Sequence, residues 1–554
     1  MNFDRNANLD RLKSEQFDVL VIGGGITGVG VALDAASRGL RTALVEKDDF
    51  SSGTSSKSSK LIHGGLRYLQ QGEIGLVYEA LHERQRLRKN APHLVQLLPF
   101  MIPILTKDGV VSKKIARALG SALWMYDLTG GWRIGKFHRR LKAKAAHSHL
   151  PTMPFEKLAS AYLYYDAAAD DSRLCVAVAR TAVQHGAAIA NQCAVTKIVH
   201  DEAGVARGAI VQPTNGEPFT IRATTVVNAA GVWADNVRQA DEGNNPHSIR
   251  PAKGIHITVP WKKVQNDIAI VIPVRRDKRS LFVVPWISNG DGTYQYTYVG
   301  TTDTDFAGGV DESQTSAEDI QYVLEALNQS ITTNVTVDDV TAVWSGLRPL
   351  VRNEDGSTAK GKTADLSRKH KVKVSPSGVI SIMGGKLTTY RKMSEHTVDE
   401  VVKHTGKAKK CRTKNLQFIG AKGFKSSMLN GADAHLAERF GSELNKVKEL
   451  ISQDPSLGEP LIAGLPYLRA EAVFACRNEM AQTLDDVLSR RTRARIINRR
   501  ATLASARKVA ELMATEMNWD SAEIDRQVAL FVDSCSREEA AGMVSEAEFL
   551  ASVQ

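Results

Sequence analysis

The stretch Asp18 to Gly28, DVLVIGGGITG, is a strand running into a glycine turn and then a helix. Val19, Leu20, Val21 and Ile22 make the short apolar run of a buried parallel strand. Gly23, Gly25 and Gly28 complete a G-x-G-x-x-G pattern. Val29, Val31, Ala32, Leu33, Ala35 and Ala36 follow as a buried helix, closed at Arg38-Gly39 by a basic last turn with glycine beyond it. A second strand, Thr42 to Val45, ends in Glu46, at the spacing where such folds hydrogen-bond a ribose hydroxyl.

Each part has a physical reason. Gly23 takes the tight turn, Gly25 has no Cβ to hold a pyrophosphate away, and Gly28 lets the helix pack against the strand. The free N–H groups of the helix's first turn then face phosphate charge. A glycine turn without a ligand would leave Glu46 unexplained. An acid at that position argues against a 2′-phosphate but does not separate FAD from NAD. Val226 to Gly231 is a second buried strand ending in glycine, before a helix starting near Trp233. Two glycine turns bracketing one long cofactor suit FAD better than NAD. A strand pair is expected over 187–199.

The chain has 554 residues, which calls for two or three domains. No uninterrupted apolar run is long enough to predict a transmembrane helix, and the most apolar stretch, Leu97 to Leu105, is broken by Pro99 and Pro103. The N-terminus is polar and lacks the apolar core of a signal peptide. The five cysteines form no C-x-x-C pair, which fits reduced thiols in a cytosolic compartment and predicts neither a disulfide framework nor a metal site. The formal net charge of +11 suits an anionic surface or a phosphorylated substrate, with a merely solvated basic surface as the plain alternative. No nucleic-acid motif is present, so no nucleic acid is expected as a partner.

Ser51 to Leu69, SSGTSSKSSKLIHGGLRYL, is rich in small hydroxyl residues and glycine, as suits backbone wrapping a polyhydroxyl or phosphate-bearing ligand; the alternative is a flexible linker. Following the glycine-rich fold, this segment resembles the FAD-dependent glycerol-3-phosphate dehydrogenases. VVNAAGVWAD (226–235), PAKGIHITVP (251–260), YVGTTDTDF (298–306), SGLRPL (345–350) and GGKLTTYR (384–391) carry the same resemblance, in order, over about residues 15–400, and more loosely into the tail.

The resemblance implies an α/β fold. A Rossmann-like FAD-binding domain (15–80, 161–245 and 345–400) is joined by a substrate-binding cap built on an antiparallel sheet (81–160 and 246–344). An all-α C-terminal domain covers 411–554. The cofactor is expected against Gly23, Gly25, Ile26, Thr27, Gly28, Glu46 and Lys47. Thr54, Ser55, Ser56, Ser59, Leu61, His63, Gly64 and Gly65 continue that set from the hydroxyl-rich segment. Val195, Ala230 and Gly231 join it, with Gly385, Lys386, Leu387 and Thr388 at a further glycine-opened helix start.

Oxidation of a secondary alcohol by a flavin needs a proton acceptor beside the hydroxyl, fixed positive charge for the developing alkoxide, and anchors for an anionic end. His256, in the strand Ile255-His256-Ile257-Thr258-Val259, is the candidate base, its side chain opposite in direction to Ile255 and Ile257. By resemblance Arg348 and Lys386 stand near the reacting oxygen and the flavin, and Arg67, Tyr68 and Arg368 form the phosphate pocket, where arginine's planar fork suits a bidentate contact. The implied reaction is oxidation of sn-glycerol 3-phosphate to dihydroxyacetone phosphate with electrons passed to a membrane quinone. The alternatives are an oxidase that gives electrons to oxygen, and a flavin-binding scaffold or sensor that is no enzyme.

The expected setting is the cytoplasm, with peripheral attachment to the inner face of the cytoplasmic membrane. A homodimer is left open. For that attachment the candidate is the helix expected over Val111 to Tyr126, followed by Lys136, His138, Arg139, Arg140, Lys142 and Lys144; its alternative is a core helix of the second domain. Further helices are expected over Leu76–Lys89, Ser172–His185 capped by Ser172, Ala317–Gln329, Ala501–Met517 and Ser521–Phe531, and strands over Ser280–Pro285, Tyr294–Gly300 and Gly378–Met383. The dense basic stretch Arg490, Arg491, Arg493, Arg495, Arg499 and Arg500 either packs on an acidic face or is solvated.

Overall fold

The computed structural model describes residues 3–66, 73–106, 116–131, 135–277, 279–311, 313–352, 369–406 and 409–552. Two sheets carry the fold. In the first, strands Ile380–Met383, Phe219–Asn228, Gln16–Ile22, Thr42–Val45 and Ala188–Ala190 lie side by side and parallel. Lys371–Val374 edges it antiparallel, and the hairpin Cys193–His200 and Ala206–Pro213 pairs onto the outer half of Phe219–Asn228. Leu20, Val21 and Ile22 pair with Val226, Val227 and Asn228, so both glycine turns leave the same sheet edge side by side. Helices Ile26–Ser37, Asp171–Gln184 and Tyr390–Thr405 cover one face through a core that includes Val29, Leu33, Val178 and Val398.

The second sheet has ten described strands, antiparallel except where Ala269–Pro273 runs parallel to Val95–Leu105. The run with Pro99 and Pro103 is therefore a long central strand, paired to Leu158–Ala169. Three strands that fall wholly or mostly within the segments expected for the FAD-binding domain pair in this second sheet: Leu61–Ile62, Leu158–Ala169 and Ala342–Val351. The reason is pairing, since Ala342–Val351 runs antiparallel along Ile249–Thr258.

The helices form close to where their periodicity places them: Ile74–Asn90, Ala317–Asn328, Arg499–Met517 and, extending beyond the expected end, Ser521–Ala541. One cap differs. The helix Asp171–Gln184 is capped by Asp170, whose Oδ1 accepts from the N–H groups of Ser172 and Arg173, both at 3.1 Å; Ser172 lies inside the helix.

The helical C-terminal region is pinned to the first sheet by buried ion pairs. Asp49 receives Arg490 at 2.7 Å and Arg491 at 2.6 Å, Arg493 reaches Asp171 at 3.0 Å, and Arg173 meets Glu479 at 2.7 Å. Arg491 and Arg493 are buried and Arg500 is exposed, so the basic stretch packs on carboxylates at one end and meets solvent at the other.

Candidate active site

A cavity of about 330 Å³ opens where the two glycine turns face the second sheet. Its wall includes Gly23, Gly25, Ile26, Thr27, Glu46, Lys47, Thr54, Ser55, Val195, Ala230, Gly231, Gly385, Lys386 and Leu387, all expected from sequence. Gly23 stands at φ +112°, and a Cβ there would lie 2.7 Å from the Ala229 carbonyl oxygen. A Cβ on Gly28 would lie 1.9 Å from the Gly23 carbonyl oxygen, so helix and strand touch through this glycine. Gly25 is different: the nearest atom to its missing Cβ is Ser55 Oγ at 3.2 Å, which leaves the helix N-terminus open toward the cavity.

Glu46 closes the nucleotide end. Its Oε2 accepts from the Gly24 N–H at 2.5 Å and its Oε1 from the Asp48 N–H at 2.9 Å. Burial pushes the carboxyl up to about 7 against the pull of those two hydrogen bonds. The wall thus offers a helix N-terminus, a carboxylate at the end of the second strand, and a further glycine pair, Gly384 and Gly385, both at positive φ. Such a donor set fits a dinucleotide cofactor.

Gly28, Ser56, Ser59, Leu61, His63, Gly64, Gly65 and Thr388 lie outside this lining. Most of them hold the wall in shape. The Thr388 hydroxyl accepts from the His63 N–H at 3.2 Å, Gly64 donates to the Tyr126 hydroxyl at 3.0 Å, and the Ser56 carbonyl takes Arg493. Trp233, Asn236, Asp311 and Pro349 line the cavity without having been expected. Trp233 and Pro349 sit inside motifs already singled out, whereas Asp311 carries no local signal.

His256 and Arg348 are brought together on the second sheet. Cross-strand register sets His256 opposite Trp344 and Ala252 opposite Arg348, which places histidine and arginine on one face. Neither belongs to the cavity lining, but Pro349, the next residue after Arg348 on its strand, does. The Arg348 guanidinium is held by the Lys253 carbonyl, Asp303, the Thr301 hydroxyl and the Thr302 carbonyl, at 3.0 to 3.2 Å.

His256 Nε2 shares a hydrogen bond of 2.9 Å with Ser59 Oγ, while its buried Nδ1 has no hydrogen-bond partner among the described residues. Burial, then the positive charges of Lys60 and Arg348, hold the imidazole well below the ordinary histidine range, so it stays neutral. Lys60 itself is buried, its Nζ 4.3 Å from the Trp344 ring centroid, and burial lowers its ammonium to about 8. Lys386 lies on the cavity wall beyond the Gly384-Gly385 turn. Arg67, Tyr68 and Arg368 lie outside the described residues. Among the described residues no group of three or more histidine, cysteine or acidic side chains could hold a metal ion.

A family model for FAD dependent oxidoreductases matches residues 18–391, and one for the C-terminal domain of alpha-glycerophosphate oxidase matches 411–524. Fold and cavity together define an FAD-dependent oxidoreductase. Among known proteins the chain is similar to glycerol-3-phosphate dehydrogenase 2 of Mycobacterium tuberculosis, 37% identical over 537 residues, covering 94% of this chain and 88% of that protein. It is also similar to the mitochondrial glycerol-3-phosphate dehydrogenase of Mus musculus, 38% identical over 546 residues, covering 93% and 72%. A solved structure of the Bacillus halodurans glycerol-3-phosphate dehydrogenase complexed with FAD superposes with a TM-score of 0.74 at 29% identity, covering 96% of each chain. The chain belongs to the FAD-dependent glycerol-3-phosphate dehydrogenase family.

Proposed function

We propose that the protein oxidises sn-glycerol 3-phosphate to dihydroxyacetone phosphate and passes the electrons to a membrane quinone. FAD, held by the glycine turns, Glu46 and the Gly384–Lys386 segment, supplies the hydride acceptor. His256 takes the hydroxyl proton on an imidazole nitrogen, with Ser59 as hydrogen-bond partner of the ring. Arg348 and Lys386 offset the charge that develops on the substrate oxygen, and Arg67, Tyr68 and Arg368 anchor the phosphate. The observation that carries this reading is a buried imidazole sharing a sheet face with Arg348, whose chain neighbour Pro349 lines the dinucleotide cavity. The test is colour: the yellow protein should bleach when glycerol 3-phosphate is added without oxygen, and a flavin that stays oxidised sinks the proposal.

Peripheral membrane attachment at the inner face of the cytoplasmic membrane is supported by one surface. Helix Ala116–Tyr126 buries Leu119, Leu123 and Tyr126 but leaves Trp124 and Met125 exposed, and Leu128 and Phe137 are exposed close by in sequence. Lys136, Arg139, Arg140, Lys142 and Lys144 are exposed in the segment that follows. Apolar side chains beside cations suit an anionic lipid interface. Among the described residues no helix is long and apolar enough to cross a membrane.

The oxidase alternative is favoured by one finding, the match of the C-terminal region to a model described from alpha-glycerophosphate oxidase. Anaerobic turnover with a quinone analogue should exceed peroxide production in air. Peroxide accounting for all the electrons selects the oxidase instead.

A further inference from the structure

Three elements meet at the rim of the FAD cavity. Lys47 follows the strand Thr42–Val45, Trp233 stands at the start of the helix after the second glycine turn, and Asp311 lies in the connection leaving the second sheet; all three line the cavity. Asp311 Oδ1 accepts the Trp233 Nε1–H at 2.8 Å and pairs with the Lys47 ammonium at 3.2 Å. That ammonium also lies 4.3 Å from the centroid of the Trp233 ring. The ring is seated on Gly53, where a Cβ would come within 2.7 Å of Trp233 Cζ3. The contacts close a triangle joining both sheets across the cavity. Each is weak alone, because the Lys47 and Asp311 side chains are 40% and 66% exposed.

The helix Glu546–Ser552 holds the connection that carries Asp311. Leu550 packs against the cluster of Val232, Phe306 and Leu347, together with Trp233 and Val310. A Cβ on Gly308 would lie 2.6 Å from Leu550 Cδ2, so this helix sits directly on the connection. Glu546 pairs with Lys253 at 2.6 Å, and the same buried ammonium pairs with Asp319 at 2.7 Å. The Val544 carbonyl accepts the Ala317 N–H at 3.0 Å, which ties the two segments once more.

We propose that Asp311 and Trp233 are further cofactor-retaining residues that clasp the FAD cavity shut between the two sheets, with Glu546 and Leu550 as positioning residues that hold the clasp in place. The clasp bears on the cofactor and not on the substrate or electron acceptor, so it stands even if the proposed reaction fails.

The experiment measures FAD release from the holoenzyme, as the rise of free-flavin fluorescence after dilution. Asp311→Ala and Leu550→Ala should each speed release at least about fivefold, the net weight of one ordinary hydrogen bond. Because Leu550 acts through Asp311, the double variant should release no faster than the faster single variant. Added salt should speed release in the parent and not in Asp311→Ala, since the exposed ion pair is screened. A smaller change in Asp311→Ala, or effects that multiply in the double variant, overturns the proposal. Glu546→Gln and Trp233→Phe replace Leu550→Ala if that variant does not fold. Melting of the cofactor-free Asp311→Ala protein at the parent temperature separates retention from general destabilisation.

Discussion

The imidazole of His256 lies flat on the indole of Trp344, the planes 8° apart and the centroids 4.6 Å apart. The two are direct cross-strand partners, and a Cβ on Gly300 on the other neighbouring strand would fall 2.3 Å from His256 Cδ2. The ring is therefore clamped by indole and backbone and oriented by Ser59, which fixes the direction of its nitrogens before any substrate arrives.

His256→Ala should keep its flavin and lose about 10²- to 10⁴-fold in the rate of flavin reduction, the usual worth of a positioned base. Stopped-flow bleaching under argon reads this directly. A variant reduced at the parent rate removes His256 from the reaction. Because its folded pKa is depressed, the unfolded chain binds the extra proton first. The contribution to stability is present above the ordinary value of 6.5 and is lost as pH falls below it.

Lys60 titrates at about 8 beside that ring. While charged it opposes formation of an imidazolium, so the reduction rate should rise as pH increases through about 8. Lys60→Met should abolish that step while leaving the flavin bound. An unchanged pH profile in this variant assigns the step to another group.

Glu46 titrates at about 7 because it is buried. A carboxyl with a raised folded pKa contributes stability that is complete below its ordinary 4.5 and is lost as pH rises through about 7. The melting temperature of the cofactor-free protein should fall across that window, and less steeply in Glu46→Gln. The same variant should hold FAD about tenfold more weakly, by one charged hydrogen bond. Equal FAD affinity in titration would contradict the ribose role.

Arg491 is 1% exposed in its side chain and paired with a carboxylate that is fully buried. Arg491→Ala should destabilise the protein by about 3–5 kcal/mol, since the buried Asp49 carboxylate would lose its two-bonded Arg491 partner and keep only Arg490. Urea denaturation measures this. A shift below about 1 kcal/mol would show that Arg490 alone satisfies Asp49.

Trp124 and Leu128 are 55% and 68% exposed. Replacing both with serine should weaken sedimentation with phosphatidylglycerol vesicles at least tenfold, since each apolar side chain buried in lipid is worth about 1.5–3 kcal/mol. Binding at the parent level would move the contact elsewhere on the surface.

Sequence alone determined the elements whose signal is local. The strand–glycine–helix at 18–37, the acid ending the second strand, the second glycine turn at 231 and the approximate positions of the helices all follow from periodicity and from backbone conformations that glycine adopts at least cost. Only the tertiary structure decided what depends on partners far along the chain. Asp170 rather than Ser172 caps its helix, and Ala342–Val351 joins the second sheet because it pairs with Ile249–Pro260. Arg491 and Arg493 are buried because Asp49 and Asp171 meet them across more than three hundred residues. Asp311 reaches the cofactor cavity without any motif around it. Charge and long-range strand pairing are satisfied by neighbours in space, and a local pattern carries no record of which neighbours those will be.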